Sequence, residues 1–391
     1  MDNHSTTPVD PRVLDAMLPY YREDFGNAAS RTHAFGASAR QAVEEARAKI
    51  ARLIGASEPG EIIFTSGATE SNNLALKGLA EMYREKGNHI ITSAIEHKSV
   101  LDTCKFLETI GFRVTYLSVN REGLIDLEAL FQHTIVDEAI LISIMYANNE
   151  IGVIQPVAEI SAIARERGVF FHCDAVQAAG KVPLNVQTIN MDLVSLSAHK
   201  IYGPKGVGAL YVRKRNPRVR LTPLIHGGGH EQGLRSGTLN VAGIVGFGRA
   251  AEIAASEMAS EADRLLRLRE KLREGIALKL PHVYVNGSLT HRLSGNLNLS
   301  FGFVEGASLL TELAREIAVS SGSACTSANP EPSYVLKALE IPEGLQHTSI
   351  RFGLGRFNTE EEVEYTIKRV AEIVKKLRTT SPLYTSVEKS G

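Results

Sequence analysis

Short apolar runs along the first 180 residues alternate with longer amphipathic stretches. Apolar runs of this length bounded by polar turns predict buried strands at residues 61–65, 89–92, 113–119, 139–145 and 169–174. Helices are predicted from Gly67 onwards, where Leu74, Leu76, Leu79 and Met82 follow, and at residues 100–107 and 157–167. Strands and helices in alternation indicate an α/β domain around a mostly parallel sheet. Ligands of such domains bind at the carboxyl ends of the strands.

The pattern changes after Ala242, where a long helical periodicity continues to about Leu272. Strands are then predicted at residues 283–285 and 297–300, and helices at 307–316 and 360–377. This order is typical of a smaller α+β domain. We therefore expect a large domain at residues 1–264 and a small one at 265–391, with the N-terminal segment packing against the latter.

Composition narrows the class of protein. With 391 residues, 43% hydrophobic and 22% charged, the chain resembles an ordinary globular protein, and its formal net charge of −1 gives no general attraction to nucleic acid or to anionic membranes. The chain shows no apolar stretch of the ~20 residues that span a bilayer, and residues 1–8 lack the features of a secretory signal. Three cysteines without metal-site spacing favour a reducing, cytoplasmic setting and no metal site.

Lys200 is the first candidate for chemistry. It lies in residues 197–206, among small and polar residues, and it follows an apolar strand that ends in Asp174. This arrangement is expected where pyridoxal phosphate binds covalently: the lysine bonds to the cofactor aldehyde, and the aspartate keeps the ring nitrogen protonated. The alternatives are a solvent-exposed Lys200 and an Asp174 that caps the following turn. Gln177 is placed to donate to the ring hydroxyl oxygen.

Two further segments reach the same edge of the predicted sheet. Gly67, Ala68 and Thr69 open a helix directly after a strand, and helix N-termini bind anions such as phosphate. Plain helix capping by Thr or Ser is the competing interpretation. His97 follows the next strand and could stack on a flat ring and move protons near neutral pH. A purely structural histidine is the alternative.

Cys325 stands in a run of small residues, 320–329, that cannot pack a core and is typical of an exposed loop. An exposed thiol in a reducing compartment suits a nucleophile that has to travel. The alternative, a small apolar filler, fits Cys104 and Cys173 better because their neighbours are apolar.

Two other motifs are less specific. Residues 227–233 superficially resemble a dinucleotide-binding fingerprint, but no strand–helix unit surrounds them, so we expect a flexible loop that leads to Thr238. Arg351 lies in a strand-like segment, 349–352, where a planar guanidinium could hold a carboxylate with two hydrogen bonds. A surface ion pair is the alternative for Arg351.

Taken together, these motifs closely resemble those of the cysteine desulfurases, which are pyridoxal-phosphate enzymes of fold type I in the class V aminotransferase superfamily. The resemblance runs from Asp2 to Tyr384 and is carried by residues 65–72, 148–152, 197–206, 226–238 and 320–327. The length of the cysteine loop and the Gly-Gly-Gly-His-Glu stretch resemble the housekeeping branch that feeds iron–sulfur cluster assembly. The resemblance implies a mostly parallel seven-stranded sheet in the large domain.

Residue by residue, the resemblance implies a role for each matching position. It makes Lys200 the cofactor-bound lysine, Asp174 the partner of the ring nitrogen, Gln177 the donor to the ring oxygen and His97 a stacking acid/base. The phosphate would be held by Ala68, Thr69, Ser197 and His199. Thr238 would reach the phosphate of a neighbouring subunit, which implies a homodimer.

The resemblance also implies what is bound and transferred. Asn149 would contact both cofactor and substrate, Arg351 would hold the substrate amino acid L-cysteine, and Cys325 would take up its sulfur. Cys325 would then pass sulfur to an iron–sulfur cluster scaffold or another acceptor, and could serve as a transient cluster ligand. A selenocysteine lyase, a related class V aminotransferase and a catalytically idle sulfur-relay subunit are the alternatives.

Two departures from the usual family pattern fall at the ends of the chain. Relatives usually carry a few apolar residues before the segment that begins at Asp2, so we expect the first strand to be incomplete. The tail beyond Tyr384 differs from longer family tails that dock the scaffold protein.

Overall fold

The computed structural model of the chain describes residues 1–135, 138–321, 332–381 and 384. Its larger part, in chain order, comprises α1 (Pro11–Met17), α2 (Pro19–Arg22), α3 (Ala34–Leu53), β1 (Ile62–Thr65), α4 (Ala68–Tyr83), β2 (His89–Ser93), α5 (Lys98–Thr109), β3 (Arg113–Leu117), α6 (Leu127–Ile135), β4 (Ala139–Ser143), α7 (Val157–Arg167), β5 (Phe170–Asp174), β6 (Leu193–Ser197) and β7 (Gly208–Val212).

In the described residues these strands form one seven-stranded sheet in the order β1-β7-β6-β5-β4-β2-β3. Only β7 runs antiparallel to its neighbours there, and the other strands run parallel. The predicted α/β class with a mostly parallel seven-stranded sheet is therefore confirmed. Because parallel strands share one direction, the segments that follow β2, β4, β5 and β6 all emerge at the same edge.

Helices cover both faces of the sheet, which explains why its central strands are continuous apolar runs. Successive strand residues point to opposite faces, so Ile63 and Ile90 pack with α4 and α5. Phe64 and Ile91 pack on the other face, against α3, α7 and the first turns of the helix that begins at Val241. The sheet is thus held between two apolar layers, and its carboxyl edge is left for polar segments.

A second sheet and a second core follow. The remaining elements are α8 (Val241–Lys279), β8 (Val283–Val285), β9 (Asn296–Phe301), α9 (Gly306–Ala314), β10 (Ser320–Ser321), α10 (Tyr334–Ala338), α11 (Glu343–Gln346), β11 (Ser349–Gly353) and α12 (Glu360–Thr379). The strands pair antiparallel in the order β10-β11-β9-β8.

The long helix α8 belongs to both cores. Its residues up to Ala254 are buried with the large sheet, whereas those from Leu265 onwards are buried with β9, β11 and α12. The domain division at residue 265 remains a prediction, and the separation of these two apolar clusters supports it. Within the described ranges, no helix has both the length and the apolar character that a membrane crossing requires.

Most strongly patterned elements are confirmed. Helix α7 has the predicted bounds, and α8, α12 and β2 to β5 agree within a few residues. Strands β6 and β7 and helices α1, α3 and α6 were missed. The five-residue runs of β6 and β7 are fully buried and carry the apolar signal that identifies a strand. Helix α3 buries mainly alanine, at Ala39, Ala42, Ala46 and Ala51, which gives a weak periodic signal.

Residues 1–7 connect the two parts of the fold. Asp2 forms a β-bridge with Gly353, and Met1 packs against the second core, where the N-terminal segment was expected to pack. Farther along, the N–H of Thr7 donates to the carbonyl oxygen of His199, beside the predicted cofactor lysine. The segment therefore runs from the small sheet to the carboxyl edge of the large one.

The N-terminal segment can lie this close to β11 only because Gly353 has no side chain. A Cβ there would lie 2.7 Å from Nδ1 and 2.8 Å from the backbone nitrogen of His4. We expect Gly353→Ala to lower the free energy of unfolding in urea by about 1–3 kcal/mol, the usual cost of overpacking. Gly344→Ala is the control, because a Cβ there meets no atom within 4 Å. Equal stability of the two variants would contradict the close approach.

Candidate active site

A cavity of about 680 Å³ opens at the carboxyl edge of the large sheet. Its walls come from the turns after β1, β2, β4, β5 and β6, from the turn before β7, from the N-terminal segment and from β11. This is the position at which parallel α/β sheets bind ligands.

Ten of the predicted site residues line this one cavity, although they are spread over almost 300 positions of sequence. They are Ala68, Thr69, His97, Asn149, Asp174, Gln177, Ser197, His199, Lys200 and Arg351. Thr238 is not among the cavity's lining residues, and Cys325 lies outside the described residues. The grouping places a lysine, an aspartate, a histidine and an arginine around one space.

Lys200 follows β6 in a short 3₁₀ turn, and its Nζ donates to the carbonyl oxygens of His4 and Ser5, each at 2.6 Å. Burial and, to a smaller extent, Arg351 lower the pKa of Lys200 to about 8, against the opposing charges of Asp174 and Asp2. Because an ordinary lysine titrates near 10.4, Lys200 supplies far more neutral amine at a given pH. A neutral amine is the form that bonds to an aldehyde.

Asp174 ends β5 and is 6% exposed. Its Oδ1 accepts from the backbone N–H of Val176 at 3.1 Å, so the turn-capping contact is present. Its Oδ2 accepts from Nδ2 of the buried Asn72 at 2.8 Å. A carboxylate oxygen has room for more than one donor, so these contacts leave capacity for a cationic N–H from a ligand.

His97 is the N-cap of α5 and remains exposed at the cavity wall. Its Nδ1 accepts from the backbone N–H of Ser99 at 3.2 Å and lies 2.8 Å from the Ser99 hydroxyl oxygen. A ring nitrogen that accepts from a backbone N–H carries no proton in the neutral ring, so the proton of neutral His97 sits on Nε2. His97 can therefore offer an N–H to a group in the cavity.

Helix α4 begins at the cavity with its N-terminal N–H groups. Its N-cap is Gly67, with a φ of 155° that favours glycine, and no described side chain caps the helix. The capping alternative is therefore not what the structure shows: the Thr65 hydroxyl instead donates to the carbonyl oxygen of Gly67. The first-turn N–H groups and the helix dipole suit a phosphate.

His199 lines the same cavity as this helix end. Burial and, after it, the cations Lys200, Lys205 and Lys181 lower the pKa of His199 to about 4. Its Nδ1 lies 3.1 Å from the Thr6 hydroxyl oxygen, which fixes the ring against the N-terminal segment. His199 is accordingly neutral at physiological pH and can contact a phosphate only as a hydrogen-bond donor.

Arg351 enters the cavity from β11 and is 7% exposed, so the surface ion pair considered for it does not describe it. Its guanidinium donates to the carbonyl oxygen of Asn149 at 2.7 Å, to Asp2 at 2.9 Å and to Ser5. Within the described part of the chain, its Nε and the buried Oδ1 of Asn149 have no hydrogen-bond partner. Both residues line the cavity, and unsatisfied buried polar atoms call for an explanation that a bound polar ligand would supply.

The glycine-rich segment that leads to Thr238 is a loop with one short turn, Glu231–Gly233. It is held by a feature that the sequence interpretation missed: the buried Glu231 accepts two hydrogen bonds from Arg47, at 2.7 and 2.8 Å. Glu231 also accepts from the N–H of Phe64 in β1. The sequence predicts a flexible loop here. The structure instead attaches the loop to the large sheet through these contacts.

Two further residue sets were missed. The N-terminal residues His4, Ser5 and Thr6 line the cavity and bind Lys200 and His199. Lys181 contacts Gln177: its Nζ donates to Oε1 of Gln177 at 2.8 Å. The first set contacts the predicted residues across long sequence separations, so no local sequence pattern predicts these contacts. For the second, the neighbouring Gly180, with a φ of 70°, is the local signal, because it marks a tight turn at Lys181.

These residues fit pyridoxal phosphate. The open end of α4 can take the phosphate, Asp174 the ring nitrogen and Lys200 the aldehyde carbon, and all three line one cavity. Asn149 and Arg351 line the same cavity and offer polar side chains to a substrate. No group of three or more His, Cys, Asp or Glu side chains among the described residues could hold a metal ion. The fold and this cavity together define a pyridoxal-phosphate enzyme of fold type I.

Comparison with known proteins supports this class and narrows it. The family model for class-V aminotransferases matches residues 1–366. The chain is 60% identical to a cysteine desulfurase IscS of Anaeromyxobacter sp. (strain Fw109-5) over 99% of this chain and 95% of that one. It is 57% identical to a cysteine desulfurase IscS of Rickettsia bellii (strain OSU 85-389), over 98% and 93%.

Among solved structures, a NifS-like protein is 42% identical with a TM-score of 0.89, covering 96% of this chain and 99% of that one. The chain belongs to the class-V aminotransferase family, whose cofactor is pyridoxal phosphate. The predicted resemblance to cysteine desulfurases and the predicted cofactor are confirmed.

The lowered pKa of Lys200 has a measurable consequence. Only the neutral amine bonds to an aldehyde, so the rate at which cofactor-free protein takes up pyridoxal phosphate covalently should rise with pH and level off above about 8. Stopped-flow absorbance across a pH series measures this rate. Lysine with its α-amino group acetylated gives the reference profile, which keeps rising towards about 10.4. A protein profile that coincides with this reference would contradict the proposed environment of Lys200.

Proposed function

We propose that this chain is a cysteine desulfurase that removes sulfur from L-cysteine, releases L-alanine and holds the sulfur as a persulfide on Cys325. The observation that carries the proposal is one cavity that combines Lys200, Asp174 and Arg351. Ser320, which pairs with Arg351, lies five positions before Cys325. The high similarity to IscS-named cysteine desulfurases over nearly the whole chain supports it.

In this scheme Arg351 and Asn149 bind the substrate. The guanidinium of Arg351 is buried and already touches Asn149, so a carboxylate that reached it would find two donors in a desolvated site. The carboxylate of Asp2, 2.9 Å from Arg351, would have to be displaced or share the guanidinium. Binding of an amino acid would thus be linked to the position of the N-terminal segment.

Bound pyridoxal phosphate withdraws electrons from the substrate Cα. The chain supplies the proton movements around it. Lys200 would serve as the base once the substrate has replaced it on the cofactor. Its pKa of about 8 gives it a larger neutral fraction at physiological pH than an ordinary lysine has. His97, with its Nε2–H towards the cavity, is placed to donate a proton or a hydrogen bond.

The sulfur step is a thiolate attack. The thiolate of Cys325 attacks the substrate sulfur, the substrate C–S bond breaks, and its electron pair stays with the substrate carbon, which takes up a proton. A new S–S bond forms on Cys325 and the product is alanine. No external oxidant is needed, because the substrate sulfur is oxidised as the carbon is reduced.

The described residues on either side of the segment that contains Cys325 are attached next to residues that line the cavity. On one side the Ser320 hydroxyl donates to Asp2 at 2.9 Å, and Ser320 pairs with Arg351 in the small sheet. On the other side the Ser333 hydroxyl donates to Glu150, next to Asn149. Cys325 follows Ser321 by four positions, and four extended residues span at most about 14 Å. These attachments support a thiol that reaches the bound substrate.

The proposal predicts different losses for two variants. Cys325→Ser should keep the yellow, lysine-bound cofactor but form no alanine from L-cysteine with a thiol reductant, because it lacks the nucleophile. Lys200→Ala should lose both the covalent absorbance and the activity. Alanine and sulfide are quantified beside the wild type.

Cys104→Ser is the matched control, since Cys104 is buried away from the cavity and its substitution should leave alanine formation intact. Undiminished alanine formation by Cys325→Ser would rule out the assigned nucleophile. Selenocysteine as a parallel substrate tests the lyase alternative.

We further propose a homodimer that shares its active sites. Thr238 does not line the cavity of its own chain, which suits a residue that serves a neighbour. Helices α1 and α2 and the following segment expose several large apolar side chains, among them Tyr21 at 60% and Phe25 at 67%. Exposed apolar side chains in such a group are typical of an interface.

A shared site predicts complementation between two inactive variants. Lys200→Ala protomers lack the lysine, and Thr238→Glu protomers place a carboxylate against a neighbour's phosphate. A mixed dimer has one site with both residues intact, so activity should return to about half that of the wild type. Differently tagged protomers are co-expressed, purified by both tags and assayed. A mixed preparation as inactive as its parents, or a monomer in sedimentation equilibrium, would refute sharing.

The acceptor and the compartment complete the proposal. A persulfide can be passed to a thiol of another protein, and the family resemblance favours an iron–sulfur cluster scaffold among the acceptors. We place the enzyme in the reducing cytoplasm, because Cys104 and Cys173 are free thiols in the described structure and the chemistry requires a reduced Cys325.

A further inference from the structure

Lys181 is a cation in the interior of the large domain that the reaction outlined above does not use. It lies in the turn after β5, and its Nζ donates to Oε1 of Gln177 at 2.8 Å. The residue keeps some exposed surface, but burial lowers the pKa of its ammonium group to about 7. A lysine in such a place costs stability and needs a reason.

The groups around Lys181 do not provide that reason. Lys200 and Arg351 repel its charge, and Glu261 of α8 attracts it. No carboxylate in the described part of the chain lies within 4.0 Å of its Nζ, the usual limit of an ion pair. The nearby ring of His4 is buried and 3% exposed, and burial together with four surrounding cations lowers its pKa well below the usual value, so it stays neutral. Among the described residues, Gln177 is the side chain that accepts a hydrogen bond from Lys181.

This contact determines which way the Gln177 amide faces. An amide has one accepting oxygen and one donating nitrogen, and a lysine ammonium can only donate. The ammonium form of Lys181 therefore holds Oε1, and Nε2 faces the opposite side. Nε2 accordingly donates one N–H to the carbonyl oxygen of His4 at 2.9 Å. Its second N–H remains for the cavity that Gln177 lines.

We propose that Lys181 is a positioning residue that fixes the amide of Gln177 with its N–H groups towards the cofactor's ring oxygen. The inference rests on the proposed role of Gln177 as the donor to that oxygen. Without Lys181 the amide would lose the donor that holds its oxygen, and only the carbonyl oxygen of His4 and the cofactor's ring oxygen would oppose a turned-over amide. The lysine thus secures a donor where an acceptor would be repelled.

The consequence concerns the proton on the bond between Lys200 and the cofactor. That proton is shared with the negatively charged ring oxygen. An N–H donor from Gln177 stabilises the oxygen's charge when the proton has left, and so favours its loss. Removal of the donor should raise the pKa of the visible absorbance change by about half a unit to one unit, the size of one ordinary hydrogen bond.

The charge of Lys181 could act in the same direction without Gln177, because a nearby cation also favours loss of the proton. A double-mutant cycle separates the two routes. Holoprotein is titrated spectrophotometrically as wild type, Lys181→Met, Gln177→Leu and the double variant. Cofactor content and thermal unfolding of each are measured alongside, and Lys181→Leu replaces Lys181→Met if the latter does not fold.

The expected result is that Lys181→Met raises the pKa of the absorbance change when Gln177 is present and leaves it unaltered in the Gln177→Leu background. Equal shifts in both backgrounds would overturn the inference, since Lys181 would then act by its charge. No shift from Lys181→Met, with a clear shift from Gln177→Leu, would also overturn it while leaving the role of Gln177 intact. No shift from Gln177→Leu would refute that role itself, a failure visible in a different variant.

Discussion

The carbonyl oxygen of His4 is the point on which the cavity is organised. It accepts hydrogen bonds from Lys200 at 2.6 Å and from Gln177 at 2.9 Å. The adjoining residues reach the small sheet, where Asp2 binds Arg351 and Ser320. One extended segment therefore sets the relative positions of the lysine, the amide and the guanidinium. A backbone oxygen is suited to this task because it cannot be lost by substitution of its own side chain.

Positive charge accumulates around that segment. Lys200, Lys181 and Arg351 lie close enough to influence one another, whereas Asp174 and Asp2 are the acidic groups that oppose them at Lys200. Repulsion and burial together move two lysines towards neutrality near physiological pH. The same electrostatic surroundings attract the carboxylate and phosphate groups of ligands. Attraction for anions and a supply of neutral amine thus have one physical origin.

The sequence was informative wherever function is tied to a local signal. Asp174 and His97 were found because one ends and the other follows a predicted strand of a parallel sheet, and such positions meet at one edge. Lys200 was found from the small and polar residues around it, although the strand before it, β6, was missed. Arg351 was recognised as a candidate, but only the structure shows its burial against Asn149. Gly67 and Thr69 were correctly placed at a helix start, whereas the choice between capping and anion binding needed the actual hydrogen bonds.

What the sequence could not predict is the set of contacts made over long separations. His4 and Lys200 are 196 positions apart, and Arg47 and Glu231 are 184 apart, so no periodicity or spacing connects them. Strands β6 and β7 were missed for a different reason. They lie on either side of the motif around Lys200, and each is an apolar run of only five residues. Lys181 looked like any surface lysine, because its meaning depends on the amide beside it.

Helix α8 has a consequence for how the molecule comes apart. With 39 residues at about 1.5 Å each it is roughly 58 Å long, and it contributes buried side chains to both apolar clusters. If one cluster unfolded, about half of α8 would lose its packing partners. That unpacked half would be only marginally stable as a helix in water. The two cores should therefore share a single cooperative melting transition, despite their separate sheets. Heat would then dismantle the cofactor cavity and the small sheet together.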